Sequence, residues 1–340
     1  MSWRVAAALG ALLVLAAAGI GLGGGRLFRP SPTPHTVSVT FTPAPTPSPS
    51  PLDEKTLFAQ PLSAGCATAS GVWLVTNGGG LLRYDGAEWA QVDGTLRSLT
   101  NVVCSKDTVY AVGLIGTVVV VDEQARQIRA TDLTTQDLYG VSTLPDGALM
   151  VGTNGSVFVL DNGDFQIFAK GIDESLYDVV SFTLESAWAV GESGITYRLD
   201  ARGWNPVGSG QSKSLRAIAA TSPTEALAVG DGGTVVSWGQ GAWHAARSGV
   251  DTDLRDVLIE PGVWIAGDHG TLLVTSPTPT APSSTRADAT FRRIDLRTDC
   301  DLVSLFRRGD EVWVVGRTGL SGGVWALRTD GSLIRKWGNC

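Results

Sequence analysis

LRAIAATSPTEALAVGDGGTVVSWGQGAW, residues 215–243, decides the fold. Leu215 and Ile218 open one apolar run, and Ala226-Leu227-Ala228-Val229 forms a second. Gly230-Asp231-Gly232-Gly233 turns the chain, Thr234 to Trp238 brings it back, and Trp243 begins a fourth strand. Short apolar runs that alternate or run continuously, broken repeatedly by glycine, specify strands and hairpins; the same glycines would break a helix.

The same arrangement recurs on both sides of this stretch. A leucine is followed three residues later by a second marked position at Leu62/Gly65, Leu99/Val102, Leu138/Val141, Leu176/Val179, Leu215/Ile218, Leu254/Val257 and Leu302/Leu305. The leucine spacings are 37, 39, 38, 39, 39 and 48. After each comes a turn that ends on glycine: Thr76–Gly79, Gly113–Gly116, Gly152–Gly155, Gly191–Gly194, Gly230–Gly233, Gly267–Gly270 and Gly316–Gly319. A type I turn followed by a left-handed residue explains that glycine, because glycine enters the region without steric cost. Trp73, Tyr110, Trp188, Leu227, Trp264 and Trp313 precede the turns, where large side chains pack between neighbouring sheets. Trp89, Phe165, Trp204 and Trp243 begin fourth strands. A period near 39 with four short strands per unit predicts an all-β, seven-bladed β-propeller over residues 57–340.

The sixth unit carries an insertion, Ser276 to Thr290, rich in Pro, Ser and Thr and expected to be a tolerated loop on one rim. Ring closure is left open: Leu333 to Gly338 or the segment Leu52 to Pro61 can supply the last outer strand. Ahead of the propeller, residues 1–28 read as a signal anchor or a cleaved signal peptide. Val5 to Gly25 carries no charge and is long enough to span a bilayer, while Ala16-Ala17-Ala18 offers a cleavage site. Residues 29–56 form a Pro/Ser/Thr-rich linker that favours extended conformations and serves as a stalk. Both readings of the first segment place the rest outside the cytoplasm, membrane-anchored or secreted.

The chain of 340 residues has a formal charge of −7 and no basic stripe, which argues against nucleic acid as a partner. Cys66, Cys104, Cys300 and Cys340 have no C-x-x-C spacing and no histidine companion, so no metal site is expected. In an exported chain their even number predicts disulfides, of which 66–104 and 300–340 are the favoured pairs of three possible connectivities. His35, His244 and His269 are widely separated and suggest no triad. The turns and blade crossovers share one rim, making Asn77, Asn154, Glu192, Asp231, Asp268, His269 and Arg317 candidate ligand-binding residues. Beside the central channel the position after each key leucine adds Tyr139, Tyr177, Arg216 and Arg255, a set suited to a peptide, glycan or acidic group. The alternative for all of them is ordinary polar turns over a water-filled channel.

SAWAVGESGITYRLDARGW (186–204) and ALAVGDGGTVVSWGQGAW (226–243) resemble the BNR-like W-A-V-G…G-T repeats of bacterial exported propellers related to photosystem II assembly and stability factors. The resemblance implies a non-catalytic scaffold that binds a protein partner or surface polymer, with no cofactor. Sialidases share the propeller, and Tyr84-Asp85-Gly86-Ala87-Glu88-Trp89 and Thr329-Asp330-Gly331 echo their turns. Glycoside hydrolysis of that kind is the alternative function, requiring arginines for a carboxylate, a Tyr nucleophile with a Glu partner, and an acid. The family's arginine element near the first blade is missing; Phe291-Arg292-Arg293-Ile294 is a near match in the wrong blade. Three arginines converging on the channel mouth beside Tyr139 or Tyr177 would favour the enzyme, and a flat, uncharged mouth would exclude it.

Overall fold

Each key leucine starts the innermost strand of an antiparallel sheet in the computed structural model, which describes residues 35–37, 42–43, 53–93, 97–168, 171–259, 262–275 and 291–340. Seven sheets follow in chain order. The first comprises Leu62–Thr68, Gly71–Thr76, Leu81–Tyr84 and Trp89–Asp93. Blade 5, which holds residues 215–243, comprises Leu215–Ser222, Glu225–Gly230, Thr234–Gly239 and Ala242–Arg247. The inner strands of the other blades are Leu99–Ser105, Leu138–Leu144, Leu176–Thr183, Leu254–Ile259 and Asp301–Arg308. Blades 2 and 3 gain a fifth strand each, because Thr42–Pro43 and His35–Val37 pair antiparallel with their outer edges. Part of the tract read as a stalk is thus a sheet edge. Its last residues, 53–56, enter a helical turn, while the remainder of that tract, the apolar segment before it and the insertion of blade 6 lie outside the described residues.

The core is built of seams, not of one central mass. One apolar cluster fills each interface between neighbouring blades. At the blade 4/5 seam Trp188 meets Trp238 and Trp243 with centroids 4.8 and 5.4 Å away. Trp188, Trp264 and Trp313, each placed before its turn by the sequence, are almost wholly buried. Those rings bring large apolar area out of water at a radius where flat sheets must diverge, so bulk on the second strand fits.

Ring closure uses no exchanged strand. Leu333–Gly338 forms the outer strand of blade 7, and the N-terminal segment instead folds as a helical turn, Glu54–Leu57. Asp53 caps that turn by accepting the Thr56 N–H at 2.8 Å. Leu57 and Phe58 then plug the blade 7/1 seam, where Phe58 stands edge-on to Trp89 at 5.6 Å. Tyr84, Trp313 and Trp337 complete the aromatic set, with Trp313 stacked on Trp337 at 5.0 Å. One backbone bond and one to a side chain fix the plug: Gly322 N–H donates to Phe58 C=O at 3.0 Å, and Gly338 N–H to the Glu54 carboxylate Oε1 at 3.2 Å.

Two disulfides reinforce the ring. Cys66–Cys104 joins the inner strands of blades 1 and 2, with Cα atoms 5.6 Å apart. Cys300–Cys340 ties the entry of blade 7 to the last residue of the chain, at 5.8 Å.

The turns differ from expectation in kind. In blade 3 Asn154 has φ 51° and ψ 43°, Gly155 has φ 63°, and Ser156 N–H donates to Thr153 C=O at 3.1 Å. Both central residues are left-handed, the pattern of a type I′ turn, which matches the strand twist better than type I. Blades 2, 4, 5 and 6 repeat it at Ile115, Ser193, Gly232 and His269. Glycine at the second position has a further cause: a Cβ on Gly233 would lie 1.9 Å from the Val250 carbonyl oxygen of the crossover. Blade 7 departs again. Its second strand, Glu311–Arg317, runs through Gly316, so Arg317 is a strand residue and the turn is moved to residues 318–321.

Candidate functional site: the channel mouth

The inner strands surround a central channel with a cavity of about 1030 Å³, to which all seven blades contribute. Two concentric positions per blade define its mouth. The residue after each leucine sits on the inner position, and the residue that follows the second strand's glycine faces it from the turn, because Leu215 pairs with Gly230 and Leu254 with Gly267.

That register makes ion pairs. Arg216 donates from Nε and Nη2 to Asp231 at 2.7 and 2.8 Å. Arg255 makes the same two-pronged contact with Asp268, at 2.7 and 2.6 Å, and a 3.4 Å contact with Asp253. The Asp231 and Asp268 hydrogen bonds hold both guanidinium groups above their ordinary pKa. Arg216 lies over the Tyr177 ring at 4.6 Å, and Tyr139 packs on Tyr177 at 5.7 Å. Burial, then the Asp137 charge, raises the Tyr139 phenol.

Arg317 is different. Its Nη1 reaches Asn77 Oδ1 of blade 1 at 3.4 Å, and among the described residues it has no ion-pair partner. Burial, and next the charge of Arg255, pulls its pKa below the ordinary value. Asp301, opposite it in the strand register, instead accepts the His269 N–H at 3.2 Å. The structure therefore gathers Asn77, Tyr139, Tyr177, Arg216, Arg255 and Arg317 around one lumen. Asp231 and Asp268 join them as counter-ions. Asn154 is exposed and donates to Gln136 Oε1 at 2.7 Å. His269 is exposed on its turn, and Glu192 lies half-buried on its own.

Three arginines thus stand on the mouth beside Tyr177, and the mouth is neither flat nor uncharged. Two of them already hold aspartates from their own blades, which occupy the groups a substrate carboxylate would need. The closest Tyr–Glu pair, Tyr197 hydroxyl to Glu174 Oε2 at 2.9 Å, belongs to the blade 3/4 seam and not to the lumen lining. Burial, then that glutamate, pushes the Tyr197 phenol up to about 12, which keeps its proton on.

Deeper in the channel lie two carboxylates that sequence reasoning missed. A bulge at the residue after each key leucine shifts the register of every inner strand there. Asp178 accepts its own neighbour Val179 N–H at 2.8 Å and Ile218 N–H of blade 5 at 2.9 Å. Asp256 does the same with Val257 and with Leu305 of blade 7, at 2.7 and 2.6 Å. Burial pushes Asp178 up to about 8, a rise limited by the Ile218 N–H and augmented by Asp256. It pushes Asp256 up to about 7 against two N–H bonds. Asn101 and Ser304 fill the same position elsewhere, bonding the Val102 and Gly65 N–H groups without ionising. Asp178, Asp256 and Ser304 are thus blade-to-blade staples, and the signal of the two carboxylates was present as L-x-D-V at Leu176–Val179 and Leu254–Val257.

A second series caps the turns. Asp137, Ser214, Asp253 and Asp301, just before an inner strand, each accept the N–H of the left-handed turn residue in the preceding blade. The recurrent polar residue before the leucine was its signal.

Similar solved structures are WD40 propellers. The crystal structure of RRP9 WD40 repeats matches with a TM-score of 0.65 at 11% identity, covering 82% of this chain and 94% of that one. The WD40 β-propeller domain of Doa1 gives 0.66 at 12%, covering 81% and 95%. The structure of U3-55K gives 0.61 at 11%, covering 76% and 89%. At such identity the likeness is one of fold. No protein family and no curated protein sequence matches the chain.

Proposed function

We propose that this chain is a non-catalytic propeller acting outside the cytoplasm, membrane-anchored or secreted, that binds a protein partner or surface polymer at its channel mouth as an assembly scaffold. One observation carries the reading. The charged groups of the mouth are paired with each other across a fixed hairpin register, an arrangement that shapes a surface and holds it rigid. The WD40 likeness supports protein interaction in general. Export is supported by the uncharged run Val5 to Gly25 and by two disulfides, which persist where thiols are not kept reduced. The finer resemblance to BNR-like exported propellers has local support in Asp85, whose carboxylate accepts both the Ala87 and Glu88 N–H groups.

Two measurements test the reading. Alkylation of the full chain in intact cells should find all four cysteines blocked, and membrane fractionation should separate anchor from secreted form. Crosslinking from the turn position Asn154 should capture the partner, whereas crosslinking from Asp164 on the outer strand should not. Reactive thiols, or equal capture from both positions, would refute it.

A glycoside hydrolase remains the second reading, favoured by the three arginines beside Tyr177. Turnover of sialosides or uronides by the purified chain, lost in Tyr177→Phe, would establish it in place of the scaffold.

A further inference from the structure

Blades 5 and 6 set a rule that blade 7 breaks. At the inner position these blades carry Arg216 and Arg255, and at the outer position Asp231 and Asp268. In blade 7 the inner position is Val303, while the outer one holds Arg317 in place of an acid. Among the described residues no carboxylate of its own blade forms an ion pair with the cation, and Arg255 stands near enough to repel it. Asp301, its strand partner, is turned to cap His269. What remains is a half-buried guanidinium with one long bond to Asn77 and its other N–H groups unengaged at the edge of a cavity.

Such a group costs folding free energy, since burial and the Arg255 charge outweigh the pull of Asp301 and Asp268, neither of which forms an ion pair with it. A charge retained at that cost in a concave site is explained by a ligand that supplies the missing anion. The surroundings choose the anion's carrier. Leu320, on the turn just after Arg317, is 84% exposed and is the most open large apolar side chain among those described. The lumen lining mixes aliphatic residues such as Ala219, Ile259 and Val303 with hydroxyls such as Thr100 and Ser142. An open aliphatic side chain on the turn that follows the guanidinium suits a carboxylate flanked by apolar side chains, which an all-hydroxyl sugar acid does not supply.

We propose that Arg317, with Asn77 beside it and Leu320 above it, is the anchor for a carboxylate of an acidic, aliphatic-flanked peptide segment entering the channel mouth. The proposal deepens the binding reading of the same mouth and rests on it. The ligand carboxylate takes two Arg317 N–H groups side by side, and the aliphatic neighbour covers Leu320.

The test uses the full chain and an acetylated hexapeptide of alternating Glu and Leu, with the Gln-Leu hexapeptide and a galacturonate hexamer as comparison arms, by calorimetry. Expected are binding of the Glu-Leu peptide, at least about tenfold weaker binding of the Gln-Leu peptide, and a similar loss in Arg317→Gln. Arg317→Lys should restore part of the affinity, and Leu320→Ser should lower it. Arg307→Gln, at a channel-lining arginine that donates to Gly309 C=O, should leave it unchanged. Folding is monitored in parallel, and here the expectation is unusual: Arg317→Gln should melt no lower than the parent, because it removes an uncompensated charge. Equal binding of the Glu and Gln peptides, an unchanged affinity in Arg317→Gln, tighter binding of the galacturonate hexamer, or a lowered melting temperature in Arg317→Gln would each overturn the proposal. Partner crosslinking from Asn154 that persists undiminished in Arg317→Gln would overturn this anchor while leaving the scaffold reading intact.

Discussion

Two carboxylates in the channel should make this propeller lose stability as pH rises. Asp178 is pushed up to about 8 and Asp256 up to about 7, in both cases chiefly by burial. An unfolded aspartate titrates near 3.8. Between about pH 4 and pH 8 the folded chain therefore binds more protons than the unfolded one, so stability falls with pH across that window and levels above it. A tenfold change in proton affinity is worth about 1.4 kcal/mol, which sets an upper bound of roughly 6 kcal/mol for Asp178. Water in the lumen and relaxation of the bulge reduce this, and a working figure is about 2 kcal/mol for each aspartate.

The perturbation is Asp178→Asn. An amide keeps one acceptor oxygen where the carboxylate offers two, so either the Val179 or the Ile218 N–H loses its partner. That costs about 1 kcal/mol at every pH. The titration penalty, however, vanishes. Relative to the parent, Asp178→Asn should be less stable at pH 5 and should gain about 2 kcal/mol by pH 9, roughly 3 °C in melting temperature for a ring of this size. Asp178→Asn/Asp256→Asn should flatten the pH profile further. Differential scanning fluorimetry from pH 5 to 9 at constant ionic strength measures all of it. A parent whose stability rises over that range would mean that the four N–H bonds outweigh burial, and the reasoning would fail.

The other expectations concern the ring itself. Reduction of the disulfides, or Cys66→Ser/Cys104→Ser, should cost about 3–4 kcal/mol for a closed loop of 38 residues, read as a drop in urea midpoint. Gly233→Ala should destabilise by more than about 2 kcal/mol, because its φ of 73° is left-handed and its Cβ would strike Val250. Gly78→Ala, whose Cβ meets nothing nearer than 3.6 Å, should shift the same melting curve by less than about 1 kcal/mol. Phe58→Ala should cost about 3–5 kcal/mol and speed hydrogen exchange first in blades 1 and 7, since its ring fills their shared seam.

The fold was legible because its determinants are periodic. The leucines, the turn glycines and the aromatic residues before each turn recur at the same offsets, and each answers a local steric demand that any blade must meet. The disulfide positions were legible for a related reason: Cys66 and Cys104 occupy equivalent inner strands. Ring closure was not, because Leu57 and Phe58 act through a single aromatic cluster with no sibling elsewhere in the chain. The site was half legible. The residues of the mouth were named from their place after the leucine and on the turn, but which were already paired depended on register. That register follows from the hairpin: with Leu215 opposite Gly230, Arg216 must face Asp231. The staples at Asp178 and Asp256 escaped because their L-x-D-V marker occurs in only two of the seven repeats and their N–H partners, Ile218 and Leu305, lie across a blade seam.

A ring of near-identical units has a particular consequence for function. Where the units agree they satisfy themselves: Arg216 has Asp231, Arg255 has Asp268, and the turn N–H groups of Ile115, Ser193, Gly232 and His269 find a cap from the next blade. Specific recognition needs groups left unsatisfied in one direction, and those arise only where the repeat is broken. Here the breaks coincide. The seam between blades 7 and 1 carries the aromatic plug, the moved turn with Leu320 exposed, and Arg317 reaching across to Asn77. The closure that holds the ring and the asymmetry of its mouth thus meet at one seam, where the repeat is broken on both sides.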